Sequence, residues 1–255
     1  MVPVFLQTLG KRNPALFYFG WACLAASLVT GVCFLLDAAG STWIRPTRFL
    51  FSTTIFVWTI GWLLDALHEQ KKLLLFSVAL ILILLFENGY TVIFAMHESS
   101  THNHIAPGLD AWMIRMMEIG VGIISVWAAY FTWLFFTRPL PDIKRHYLWG
   151  IRFGLLFFVV FSLSGNLMAV LPGWNVASPN GGSGLPFVNW KQQSSGLRAA
   201  HFLGIHALQV LPLMGYYISR RSIITIIFSV VYFLAVLAVL TQALLQQPLI
   251  ELYMG

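Results

Sequence analysis

The residues best able to do chemistry are two histidines in one apolar stretch. Arg198 to Pro212 reads RAAHFLGIHALQVLP, placing His201 and His206 five positions apart, with Gln209 after them. On a helix that spacing is about 140° of rotation and about 7.5 Å of rise, so the two rings face different sides at similar depth. Neutral imidazole ligates haem iron, zinc and copper, and it also relays protons. Ala200, Gly204 and Ala207 are small enough to let another helix, or a flat ligand such as a porphyrin, come close to the backbone.

Further polar residues interrupt other apolar runs. Glu87 and Asn88 follow the predominantly apolar LLLFSVALILILLF, and His97, His102 and His104 come shortly after them. Arg115 and Glu118 are three apart and can neutralise each other on a helix, or Arg115 can pair with Glu87 across helices. Asn166 and Arg198 flank the longest connection in the chain. Met113, Met116 and Met117 resemble a thioether set for copper, although methionine is also a common filler of irregular packing. His68 and His146 lie beside basic residues and read as solvated positions.

These residues are set in a chain of 255 residues that is 58% hydrophobic and only 9% charged, with a mean hydropathy of +0.79. Soluble domains carry roughly 25% charged residues. The fold class is therefore all-α, a polytopic membrane helix bundle forming a single transmembrane domain over 1–255. Seven apolar segments, about 17–36, 49–67, 73–95, 109–137, 147–170, 197–218 and 222–246, each approach the ~20 residues needed to span. The first follows Lys11 and Arg12, but its apolar run is too long for a signal peptide, so an uncleaved helix is expected. Cys23 and Cys33 lie in one segment, about 15 Å apart on a helix, beyond disulfide reach.

Charge sets the orientation. The amino terminus and the loops after helices two, four and six hold nine basic residues: Lys11, Arg12, Lys71, Lys72, Arg138, Lys144, Arg145, Arg220 and Arg221. The opposite loops hold four: Arg45, Arg48, Lys191 and Arg198. Positive-inside bias puts the amino terminus in the cytoplasm and the carboxyl terminus outside. The formal charge of +6 thus belongs to the loops beside a lipid bilayer, and no basic-aromatic patch suggests nucleic acid. With this topology helices three to six bring their polar residues to the outer leaflet. The 171–196 connection is also outer, and its prolines, glycines and aromatic residues read as a lid-like loop.

The Arg198–Pro212 pattern, R-x-A-H-F-x-G-x-H-A-L-Q-x-L-P, resembles the signature of a poorly characterised bacterial family of multi-pass inner-membrane proteins associated with orphan b-type cytochromes. Pro179-Asn180-Gly181-Gly182, Gly184-Leu185-Pro186 and Thr101-His102-Asn103 are similar to neighbouring features of that family. The resemblance implies a bacterial cytoplasmic membrane location and a haem function. It also implies that His201 and His206 correspond to the family's paired histidines and His102 to its loop histidine. His97 and His104 are candidates by proximity alone.

The expected function is a b-type cytochrome-like protein with one or two haem b groups near the outer leaflet, serving electron transfer or quinol-linked redox. Its partners would be a quinone or a redox protein. Cofactor ligands would be drawn from His201, His206, His102 and His97, with Glu87, Asn88, Arg115, Glu118, Asn166, Arg198 and Gln209 as supporting polar groups. The alternative is a zinc or copper enzyme using the same histidines and His104, or a non-enzymatic sensor or transporter. Two features weaken a seven-helix zinc hydrolase: the paired histidines lack H-x-x-x-H spacing, and the last span has no ionisable residue. That same span has no lysine for retinal.

Overall fold

The chain begins with a short helix, α1 (Val2–Arg12), and an Asn-Pro pair then starts the first membrane-length helix, α2 (Pro14–Leu36). Asn13 Oδ1 accepts the Leu16 backbone N–H at 3.1 Å, and Pro14 opens the helix at a position where no N–H is needed. The computed structural model describes residues 2–36, 42–67, 70–101, 107–170 and 196–245. The remaining elements are α3 (Ile44–Leu64, prolonged by a 3-10 turn at Asp65–Leu67), α4 (Gln70–Thr101), α5 (Pro107–Thr137), α6 (Arg145–Val170), α7 (Gly196–Leu213, followed by a π turn at Met214–Ile218) and α8 (Ser222–Leu244). Among the described residues every element is helical.

Among the described residues six helices are long and apolar enough to cross a bilayer: Pro14–Leu36, Ile44–Leu67, Lys72–His97, Arg115–Thr137, Arg145–Leu163 and Ser222–Leu244. In its described residues the protein is an all-helical membrane protein. Six of the seven expected segments coincide with these helices to within a few residues. The third helix starts earlier, at Ile44, because Pro46 lies in its first turn, where proline is tolerated. The remaining segment is α7, whose 18 residues include Arg198, His201, His206 and Gln209 and do not reach the same apolar character. The lid-like 171–196 loop falls outside the described residues, apart from Gly196 at the start of α7.

The chain divides into two compact units, Met1–Ile124 and Ser125–Gly255, with the division inside α5. In the first unit α2, α3 and α4 pack on one another, and α1 lies against α2 and α3. Gly20 gives the Trp58 indole its space, since a Cβ there would collide with the ring. Trp58 Nε1 donates to the Phe17 carbonyl at 3.3 Å, and its ring meets Trp21 edge-on. Arg12, at the end of α1, pairs with Asp65 at 3.3 Å and covers the Trp62 ring. Asn13 Nδ2 donates to Ser77 Oγ at 2.8 Å, tying the start of α2 to α4.

In the second unit α6, α7 and α8 pack pairwise around Phe157, Phe161, Ala207, Leu211 and Val236. Glycine lets α6 and α7 touch backbone to backbone. A Cβ on Gly150 would strike the Leu211 carbonyl, and one on Gly154 would lie 3.0 Å from the Ala207 carbonyl. Pro212 lies within α7, and the π turn that follows closes with Ser219 N–H donating to the Met214 carbonyl at 2.9 Å. His146, at the start of α6, is half-buried, and its Nδ1 donates to the Gly215 carbonyl in that π turn at 2.6 Å. Arg152 Nε donates to the Phe135 carbonyl at 2.8 Å, with Phe136 and Trp149 covering its guanidinium.

Several hydroxyls inside the spans are satisfied within their own helices. Thr54, Thr59, Ser77, Thr132 and Ser229 each donate to the carbonyl four residues back. In hydrocarbon this is the nearest available acceptor, and it lets serine and threonine sit in a span without a partner helix.

Candidate functional site

On α7 the two histidines diverge as their spacing requires. Gly204, Ala207 and Leu211 form the buried face against α6, and His201 stands at its edge with Nδ1 2.8 Å from the Phe161 carbonyl. A carbonyl can only accept, so Nδ1 carries the proton, and the lone pair of the neutral ring is on Nε2. His206 lies on the side of α7 turned away from α6, half-buried among exposed Phe202, Val210 and Leu213. Its Nδ1 is 3.2 Å from Gln209 Oε1, and Phe202 meets its ring edge-on with centroids 4.1 Å apart. With the amide oxygen accepting, His206 has the same tautomer, and its Nε2 has no hydrogen-bond partner among the described residues.

Gly204 does not leave the flat opening that its sequence position suggests. The Phe161 ring of α6 fills the space, and a Cβ there would collide with it. The Phe161 ring occupies the space that a porphyrin face against Gly204 would need. The ligand chemistry fits haem better at His206, where the ring is oriented by Gln209 and bordered by apolar side chains that remain exposed. Tyr232 of α8 donates to the Leu203 carbonyl at 2.6 Å and fixes α7 from its other neighbour.

The first unit holds a second polar group. Asn88 is buried on α4, and its Nδ2 donates to Thr53 Oγ1 of α3 at 3.0 Å and to the Leu84 carbonyl at 2.7 Å. Glu87, about 100° further round the same helix, is 7% exposed, and its Oε1 has no hydrogen-bond partner among the described residues. It lies over α5 at Gly120, where a Cβ would approach Oε1 to 3.3 Å and Ile83 Cγ2 to 2.7 Å. Glu87 makes no ion pair with Arg115, which is exposed, and Arg115 and Glu118 do not bond each other.

His97 lies near the end of α4, Asn166 on α6 and Arg198 on α7. His102 and His104 fall outside the described residues. Among the described residues no group of three or more His, Cys, Asp or Glu side chains is placed to hold a metal ion. The contributions of Thr53, Phe161 and Gly120 were not anticipated, because a threonine, a phenylalanine and a glycine are ordinary occupants of a span. Comparison with family models, curated proteins and solved structures finds no match.

Proposed function

We propose that the protein is a b-type cytochrome-like component of a bacterial cytoplasmic membrane, acting in electron transfer or quinol-linked redox with a quinone or a redox protein as partner. In this reading α7 completes seven spans, with the amino terminus in the cytoplasm and the carboxyl terminus outside. The supporting observation is His206: an imidazole held in one tautomer by Gln209, on a side of α7 whose other residues are apolar and exposed. A histidine at such a position is costly in lipid unless a ligand or partner covers it.

His206 would hold haem through Nε2, and a bound haem supplies one-electron Fe(III)/Fe(II) chemistry. Gln209 fixes which nitrogen carries the proton and makes the ring a better donor. Phe202 sets the ring plane by edge-on contact, and Val210 and Leu213 keep water from its flank. His201, hydrogen-bonded to the Phe161 carbonyl, is a positioning residue that keeps α7 in register with α6.

Detergent-purified protein from haem-replete cells should show a Soret band and a dithionite-reduced α band. His206→Ala should abolish both, while His201→Ala should retain haem with a shifted midpoint potential. The same substitution at His97, His102 and His104 tests which of them would hold the haem together with His206. A colourless preparation with stoichiometric zinc or copper would overturn the haem reading in favour of a metal enzyme.

A further inference from the structure

The lone carboxyl of Glu87 is placed unlike any other acidic group among the described residues. It lies fifteen residues after Lys72 and ten before His97, within a helix long and apolar enough to span. Along the axis these separations are about 22 Å and about 15 Å, which places the carboxyl inside a hydrocarbon layer ~30 Å thick. Asp65, by comparison, lies at a helix end and pairs with Arg12.

An ionised carboxylate at that depth needs a cation or several donors, because neither water nor lipid tails can solvate it. None is supplied. The neighbouring elements bring Cys23 on α2, Arg48 on α3, and Arg115 and Glu118 on α5, and Glu87's own helix brings His97; none of them bonds the Glu87 carboxyl. The nearest amide, Asn88, has both its donor contacts directed to Thr53 and Leu84. On the α5 side the carboxyl meets Gly120, where the missing side chain leaves it just enough room. A neutral carboxylic acid suits this pocket, and the ionised form does not.

We infer that Glu87 is an intramembrane proton-binding site, a carboxyl that holds H⁺ at neutral pH and exchanges it as the first unit works. The ligand is the proton itself, and the site is Glu87 in the space left by Gly120, braced from α3 by the Asn88–Thr53 bond. It does not depend on haem: a colourless protein would have the same site.

Infrared spectroscopy of the full-length protein in detergent tests this directly. At pH 7 the wild type should show the C=O stretch of a protonated carboxyl, shifted in D₂O, and Glu87→Gln should lose it. Gly120→Ala keeps the acid but crowds Oε1, so it should move the band, which provides a test if the glutamine variant does not accumulate. Dicyclohexylcarbodiimide, a membrane-soluble reagent for protonated acids, should add to Glu87. The acid proton passes to a carbodiimide nitrogen, the carboxylate oxygen bonds to the central carbon, and no group leaves. Peptide mapping should place this adduct at Glu87 in wild type, with labelling lost in Glu87→Gln. An identical carbonyl region in wild type and Glu87→Gln at pH 7 overturns the proposal, as does a band abolished by adding Na⁺ at constant pH, which would make the ligand a metal cation.

Discussion

Single residues in this protein are informative where they interrupt a hydrocarbon-like run. Glu87 and Asn88 stand out because thirteen of the fourteen residues from Leu73 to Phe86, all but Ser77, are apolar. Their roles nevertheless separate, since neighbours on a helix point about 100° apart. Asn88 finds Thr53 on α3, whereas Glu87 finds only the space above Gly120. Asn88→Ala should lower stability by about 1 kcal/mol, within the range measured for interhelical hydrogen bonds in membranes. Thr53→Ala should show coupling with it in a double-mutant cycle measured by unfolding in mixed micelles. Strict additivity of the two substitutions would show that the bond contributes nothing. Thr53 was not legible in the sequence for a physical reason: Thr54, Thr59 and Thr132 satisfy themselves through the carbonyl four residues back, so type and position do not reveal which threonine reaches a neighbour.

At the scale of elements, hydrophobic segments locate the helices but not how closely they approach. The limits of α2, α4, α5, α6 and α8 follow from where the apolar runs meet charged or helix-breaking residues. By contrast α1 carries too short a run to register as a span, and the π turn after Pro212 has no marker in hydropathy. The close approach of α6 and α7 rests on Gly150, Gly154 and Gly204, whose significance depends on which residues oppose them. A glycine facing a carbonyl or a ring is indispensable, and one facing open space is a liability in a helix. Gly150→Ala should therefore destabilise by about 1–3 kcal/mol or more, because the opposing Leu211 carbonyl is backbone and cannot yield. Gly89→Ala, with nothing within 4 Å of the new methyl, should be neutral or stabilising by about 0.5–1 kcal/mol. Thermal unfolding monitored by circular dichroism distinguishes these outcomes. Equal effects at the two sites would show that the α6–α7 seam is not as close as the structure has it.

For the whole molecule the open quantity is the parity of the spans, and it turns on α7. Six helices among the described residues are apolar enough to cross, and an even number returns both termini to the same side. With α7 crossing as well, the carboxyl terminus emerges opposite the amino terminus. α7 has 18 residues, about 27 Å of helix, and the five residues of its π turn carry it further towards the ~30 Å hydrocarbon thickness. Arg198, Gln209 and the two histidines together make it fall short in hydropathy, and both histidines have Nδ1 hydrogen-bonded within the protein, which reduces the cost of placing them in lipid. The basic-residue bias of nine to four argues in the same direction, for an amino terminus in the cytoplasm. In a background with Cys23 and Cys33 replaced, a membrane-impermeant maleimide added to intact spheroplasts should label Ser100→Cys and Ser183→Cys. Lys71→Cys and Lys144→Cys should remain unlabelled until the membrane is opened. An alkaline phosphatase fused after the last residue should be active, and a green fluorescent protein at the same point should be dark if exported through the general secretory route. The reverse fusion result with unchanged labelling at Ser100→Cys would mean that α7 does not cross, and His201 and His206 would then lie outside the hydrocarbon core.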